Sequence, residues 1–185
     1  MFGVVTKLLL HKQLVFEKGR IQIFRRYSSL LPSDSFVNIQ KELEKMNKEN
    51  IIYFSGKESG RLWFIGMNKD FKIKEHEVIK WGSDIVTLAG WGEAVPKKQD
   101  MQNKTVVFNL NNSIVAKFYG KSKYPVDHLF RGLLCGAMCV IFNTDVEAVE
   151  TACKAKGDRT CEFVVKPKSQ FNLSDPLVKR QLSLP

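Results

Sequence analysis

The stretch that decides the fold is Tyr124-Pro-Val-Asp-His-Leu-Phe-Arg-Gly-Leu-Leu-Cys-Gly-Ala-Met-Cys-Val-Ile-Phe142. Tyr124-Pro125-Val126-Asp127 leads in, with Asp127 at the N-cap position. From His128 to about Phe142 the helix is apolar on nearly every side: Leu129, Leu133, Leu134, Ala137, Met138, Val140 and Ile141. A helix of that kind is buried all round. Directly after it, Val146 to Cys153 and Thr160 to Val165 read as an antiparallel hairpin around Lys156-Gly157-Asp158. A wholly buried helix beside a hairpin argues for helices laid over a sheet.

Working outward, Gln13 to Tyr27 alternates as two short strands, with Leu14, Phe16, Ile21 and Ile23 on one face and a Glu17-Lys18-Gly19 turn. Ser33 or Asp34 then caps a helix whose stripe is Phe36, Ile39, Leu43 and Met46. Between Asn50 and Phe71, Gly56 and Gly60 stand four apart within an apolar pattern. This predicts a helix packed closely on a neighbour. Glu75 to Trp91 is a further helix, with the stripe Val78, Trp81, Ile85 and Leu88 and with Gly90 to end it. Lys97 to Asn103 reads as a polar loop. Thr105–Leu110 and Ser113–Tyr119 read as a hairpin turning at Asn111-Asn112. The order predicts an α+β fold with helices packed on one face of a twisted antiparallel sheet. Residues 1–166 are expected to form one domain, and 167–185 a carboxyl-terminal extension or short helix.

Composition narrows the function classes. Among 185 residues, 44% are hydrophobic and 26% charged, which excludes disorder over most of the length. No run approaches ~18 apolar residues, so no membrane span is expected. The start carries no signal-peptide pattern, and the expected location is the cytoplasm. The net charge of +10 is concentrated at the two ends. A basic cluster of Lys18, Arg20, Arg25 and Arg26 beside Tyr27 makes nucleic-acid contact conceivable, but the favoured reading is a solvated hairpin with basic outer faces.

The strongest chemical constellation is Glu150-x2-Cys153-x7-Cys161. Two thiols opposed across a tight hairpin approach within ~4.5–5.5 Å, a spacing that suits two soft ligands on one metal. Glu150 lies three residues from Cys153, so in a regular strand the two point to opposite faces. They join only if a bulge or strand end intervenes. A fourth ligand must come from elsewhere, and Asp127 and His128 are the candidates by type. The competing reading is a pair of inert buried cysteines with a surface glutamate. Cys135 and Cys139, inside the apolar helix, read as small hydrophobes that let another backbone approach. No nucleophile elbow, Walker loop or dinucleotide fingerprint is present in the sequence, and an enzyme is not inferred. Trp63, Trp81, Trp91, Phe108 and Phe130 are candidate walls of an apolar pocket.

Taken together, Tyr124 to Gly136 and Glu150-Thr-Ala-Cys153-Lys-Ala-Lys-Gly157-Asp158-Arg-Thr-Cys161-Glu-Phe163 resemble the vinyl-4-reductase-like (4VR) domain family. The resemblance extends over roughly residues 10–166. It implies the fold of the transport-protein-particle (TRAPP) trafficking subunits and the sensing of apolar or aromatic small molecules, hydrocarbons among them, by regulators of transcription. It also implies a structural zinc site beside the pocket. Carried over, the zinc ligands fall on Glu150, Cys153 and Cys161. The position where the family usually has a cysteine falls at or next to Asp127, with His128 as the chemically better neutral substitute. The regulators of this family join the domain to an ATPase and a DNA-binding domain, and neither is expected here. It is expected to be a stand-alone sensor that signals as a homodimer or through a downstream protein. The alternative expectation is an interaction scaffold acting through dimerisation, as in the trafficking subunits.

Overall fold

The computed structural model describes residues 2–71 and 75–182. An amino-terminal module consists of helix α1 (Phe2–Leu10) and a three-stranded antiparallel sheet, β1 (Leu14–Glu17), β2 (Arg20–Ile23) and β3 (Arg26–Ser28). Gly19, at φ 77°, supplies the left-handed residue of the β1–β2 turn. The register pairs Leu14 with Ile23 and Phe16 with Ile21, so the alternation read from sequence holds. The third strand, only three residues long, extends the two expected from the alternation.

Three helices follow: α2 (Ser33–Lys45), α3 (Glu49–Phe71) and α4 (Glu75–Leu88). Neither Ser33 nor Asp34 caps α2. Pro32 holds the N-cap position, and no side chain caps the helix. The buried face of α2 is also rotated from the expected stripe. Ile39 and Met46 are more than half exposed, whereas Val37 and Gln40 are buried. The cause is polar: the Gln40 amide donates to the Val126 carbonyl at 2.8 Å and to Glu44 at 2.9 Å, and Glu44 accepts from the Tyr119 hydroxyl.

The second sheet has the order β4–β5–β7–β6, all antiparallel: β4 (Glu93–Asp100), β5 (Thr105–Asn111), β6 (Glu147–Ala152) and β7 (Cys161–Lys166). Here the expected 105–119 hairpin is overturned. The partner of β5 is the polar stretch before it, read from sequence as a loop, and Ser113 instead starts helix α5 (Ile114–Tyr119). The Ser113 hydroxyl accepts from the Ala116 N–H, a capping bond that outweighs the strand propensity of Ile114-Val115. β4 tolerates its polar side chains because it is an edge strand with one face in water. The core face of the sheet carries Val106, Phe108 and Leu110 of β5 opposite Val165, Phe163 and Cys161 of β7.

Helix α6 (His128–Ile141) lies between that sheet and α3. The contact with α3 is backbone against backbone. A Cβ at Gly132 would overlap the Tyr53 carbonyl oxygen, and one at Gly136 the Lys57 carbonyl oxygen. Gly56 and Gly60 of α3 face the Leu129 and Leu133 carbonyls in the same way. The close packing predicted from Gly56 and Gly60 is thus present, with two glycines from each helix. After β7 the chain packs α7 (Pro176–Leu182) against β6, where Val149, Phe171 and Val178 form a small separate cluster. The α+β class read from sequence is the observed one.

Replacing Gly136 by Ala forces α3 and α6 apart and is expected to cost about 1–3 kcal/mol in urea unfolding. Gly82→Ala on α4 meets nothing within 4 Å. It is expected to be neutral or to stabilise by up to ~1 kcal/mol.

Candidate metal centre and apolar cavity

Two features lie on either side of α6, one polar and one apolar. The polar one is a buried cluster in which Asp127, Glu150, Cys153 and Cys161 each offer a donor atom, all within 4.8 Å of one another. A β-bulge brings Glu150 and Cys153 together. The β6–β7 register steps from Glu150↔Phe163 to Ala152↔Glu162, so one residue is skipped and the strand turns its next side chains. This is the irregularity that the three-residue spacing demanded. The 3-10 turn Lys154–Lys156 follows. Gly157, at φ 101°, closes it by letting Asp158 fold back onto the Cys153 backbone, and the Asp158 carboxylate accepts from the Cys153 N–H at 2.8 Å. Asp127 stands at the N-cap position of α6 without capping it. Its carboxylate is instead held by the Ser113 hydroxyl at 2.7 and 3.0 Å, and its N–H donates to Glu150 Oε2 at 3.0 Å.

Of the five residues singled out from sequence, four meet here. The fifth, His128, points the other way, with its Nε2 3.3 Å from Glu44 on α2. Three contributors had no signal of their own. Ser113 belonged to the misread hairpin. Gln181 comes from the tail: its Oε1 accepts from the Glu150 N–H and its Nε2 donates to the Glu150 carbonyl, both at 2.9 Å. Arg131 is fully buried on an otherwise apolar helix. It donates to the carbonyls of Ala148 at 3.2 Å and Gln181 at 3.0 Å, and stacks with its Cζ 3.9 Å from the Tyr53 ring centre.

The electrostatics of the cluster are those of acids crowded out of water. Burial pushes the Asp127 carboxyl above its ordinary range. Burial pushes Glu150 well above its own, and the neighbouring Asp127 charge adds to this. The two thiols divide one proton unequally. The hydrogen bond with Cys161 brings Cys153 down to about 6, and the same bond, with burial, drives Cys161 up. Glu150 Oε1 is buried without a hydrogen-bond partner. A buried oxygen left bare is unfavourable, and a cation held by the three neighbouring donors would satisfy it. Two sulfurs and two carboxylates suit a borderline-soft divalent ion in four-coordination. The residues present therefore fit a metal.

The apolar feature is a cavity of about 310 Å³ between α3, α4, α6 and the sheet. Trp63, Phe64, Met67, Val78, Ile79, Trp91, Phe108, Leu134 and Met138 supply most of its wall. Among the described residues, Ser59 and Ser83 are its hydroxyl side chains and no charged side chain lines it. Of the aromatics proposed from sequence, Trp63, Trp91 and Phe108 reach it. Trp81 and Phe130 do not. Phe130 instead packs edge-on against Phe163 at 4.9 Å.

Residues 106–167, which include β6, β7, all of β5 but its first residue and the four cluster residues, match the V4R domain family model. The matched segment contains the motifs at Tyr124–Gly136 and Glu150–Phe163 on which the resemblance rests. Among solved structures, the phenol-responsive sensory domain of the transcription activator PoxR, crystallised with phenol, superposes with a TM-score of 0.84 at 18% identity. The match covers 100% of this chain and 96% of that one. A vinyl-4-reductase family protein from Methanocaldococcus jannaschii gives 0.54 at 20% identity, over 75% and 83% of the two chains. A trafficking protein particle complex subunit 3 from Naegleria fowleri, covalently bound to palmitic acid, gives 0.52 at 13%, over 74% and 95%. At these identities the likeness is one of fold. No curated protein sequence matches the chain. Among the described residues, no helix is long and apolar enough to cross a membrane.

The raised acids set the sign of the pH response. Protons held by Glu150, Asp127 and Cys161 must leave before a cation can be coordinated. Loading a divalent ion is expected to release protons, seen in calorimetric titrations repeated in buffers of different ionisation enthalpy. Apparent affinity is expected to fall as pH is lowered through about 6, where Cys153 reprotonates.

Proposed function

We propose that this protein is a small-molecule sensor domain. It takes one apolar or aromatic ligand into the cavity under α6 and uses a structural zinc to brace the last hairpin against that helix. The observation that carries the reading is the cavity itself, uncharged, walled by aromatic and aliphatic side chains and at the small end of ligand-pocket volumes. Support for an aromatic ligand comes from the fold shared over the whole chain with a sensory domain crystallised with phenol. Asp127, Glu150, Cys153 and Cys161 would hold the zinc, whose contribution is folding energy rather than reaction chemistry, since four protein ligands leave no open position. Asp127 stands for the cysteine common in the family, and Ser113 and the tail residue Gln181 orient the ligands from behind.

Signalling is read as passing through a second copy of the chain. The amino-terminal module presents Phe16, Tyr27, Leu30 and Leu31 to solvent, all more than half exposed, beside a groove lined by Leu14, Ile21, Ile23 and Phe36. An apolar surface of that kind marks an interface. A scaffold acting through dimerisation alone would share this surface but would leave the cavity without a ligand. Residues 1–166 are read as the sensing domain and the tail as its brace.

Phenols and small aromatic hydrocarbons are expected to raise the melting temperature by several degrees when present at about a hundred times Kd, corresponding to ~2.7 kcal/mol. Ala137→Phe, which fills the cavity, is expected to abolish that shift while leaving bound zinc unchanged by elemental analysis. A flat response across the panel in zinc-loaded native protein would falsify the sensor reading. Cys153→Ser is expected to lower both zinc content and melting temperature.

A further inference from the structure

A second polar cluster sits on a different face of α6 and plays no part in either feature above. Three groups converge on one carbonyl oxygen, that of Val146: Cys135 Sγ at 3.1 Å, Cys139 Sγ at 3.7 Å and Lys57 Nζ at 3.5 Å. Lys57 also pairs with Glu147 at 2.9 Å and with Asp145 at 3.3 Å. The Tyr53 hydroxyl donates to the other Glu147 oxygen, which lies 3.8 Å from Cys135 Sγ. Asp145 lies 3.6 Å from Cys139 Sγ. Cys135 is wholly buried, Cys139 is half-buried and open to solvent, and neither is in a disulfide. The close approach of α3 to α6 carries the Lys57 ammonium into this corner.

We propose that Cys139 is an oxidant-reactive thiol and Cys135 its resolving partner, so that the chain carries a peroxide-modification site separate from the metal centre. The geometry gives each group a part. Cys139 is the sulfur that solvent reaches, Lys57 is the cation beside it, and Cys135 is the second sulfur on the same carbonyl. The electrostatics agree. The neighbouring Cys135 thiol and the Val146 carbonyl contacts, with Lys57 in support, bring Cys139 down to about 7 against the opposing effects of burial and Asp145. Cys135 is driven up by its bond with Cys139, by burial and by Glu147, and keeps its proton. Burial disfavours the Lys57 charge, but the hydrogen-bonded pair with Glu147 outweighs that and keeps it an ammonium. A low thiolate within reach of solvent, poised next to a second thiol, is the arrangement of a redox-sensitive cysteine.

The chemistry closes with a hydroperoxide as oxidant. The Cys139 thiolate attacks one peroxide oxygen, an S–O bond forms and the O–O bond breaks. The leaving alkoxide takes a proton, supplied by Lys57 and replaced from solvent, and departs as an alcohol. Cys135 sulfur then attacks Cys139 sulfur, the S–S bond forms, the S–O bond breaks, and water leaves with the Cys135 proton. Two thiols lose two electrons, and the peroxide is reduced to alcohol and water. Residues four apart on a helix hold their Cβ atoms ~5–6 Å apart, whereas a disulfide needs ~3.5–4.5 Å. Closure therefore opens the last turn of α6, which ends two residues later at Ile141. Met138 and Ile141 of that turn line the cavity, so oxidation moves part of its wall.

The test is peptide mapping of zinc-loaded native protein after brief exposure to hydrogen peroxide. The peptide carrying Cys135 and Cys139 is expected to lose two hydrogens, reversibly with dithiothreitol. Dimedone is expected to label Cys139 in Cys135→Ser. Lys57→Met is expected to raise the midpoint of the pH profile of Cys139 alkylation above its native value near 7. The proposal is overturned if this peptide stays reduced while Cys153 or Cys161 oxidises. It is equally overturned if Cys139 reacts no faster than a cysteine in the urea-unfolded chain. Native protein alone decides both points should either variant fail to fold.

Discussion

The rest of the structure hangs on the glycine seam between α3 and α6. With no side chains at Gly56, Gly60, Gly132 and Gly136, two helix backbones approach until carbonyl oxygens of one lie over Cα atoms of the other. Helix axes normally stand ~8–10 Å apart, set by the side chains between them. Removing those side chains draws α6 away from the solvent side and fixes its rotation. Once it is fixed, each remaining face has a single neighbour. Leu134 and Met138 turn to the cavity, Cys135 and Cys139 to the β6 approach, and Arg131 and Phe130 to the sheet.

Arg131 shows what that constraint permits. A guanidinium with no exposed surface is costly unless its charge is compensated. Burial works against the charge, and two carbonyls, the face of Tyr53 and the nearby Glu147 carboxylate compensate it in part. The guanidinium ties α3, α6, β6 and α7 together at one point. Through Gln181 that point is continuous with the buried acid–thiol cluster, so the tail helix is part of the support of the Glu150 strand.

Much of this was legible in the residues. The all-round apolar helix, the last hairpin and the paired glycines are local patterns, and each predicts its element correctly. Glu150, Cys153 and Cys161 stand out because sulfur and carboxylate spacing carries chemistry, whereas Asp127 is a candidate by residue type alone, beside His128. What failed did so where a single polar bond overrode a pattern. Ser113 turned a β-branched run into a helix by capping it. Gln40 rotated α2 by docking on Val126. The strand character of Glu93–Asp100 was hidden because an edge strand with one wet face has a loop's composition. The orientation of His128 toward Glu44 depends on where α2 lies, which no local pattern records.

The bulge after Glu150 has a consequence for how this hairpin can vary. Side chains on a strand alternate with every residue, so the donor set is fixed by chain length as much as by residue type. Inserting or deleting one residue between Glu150 and Cys153 would leave every ligand present in composition yet swing the carboxylate to the far side of the ribbon. The hairpin thus tolerates an exchange of one donor type for another more readily than a change in the count of residues that separates the donors.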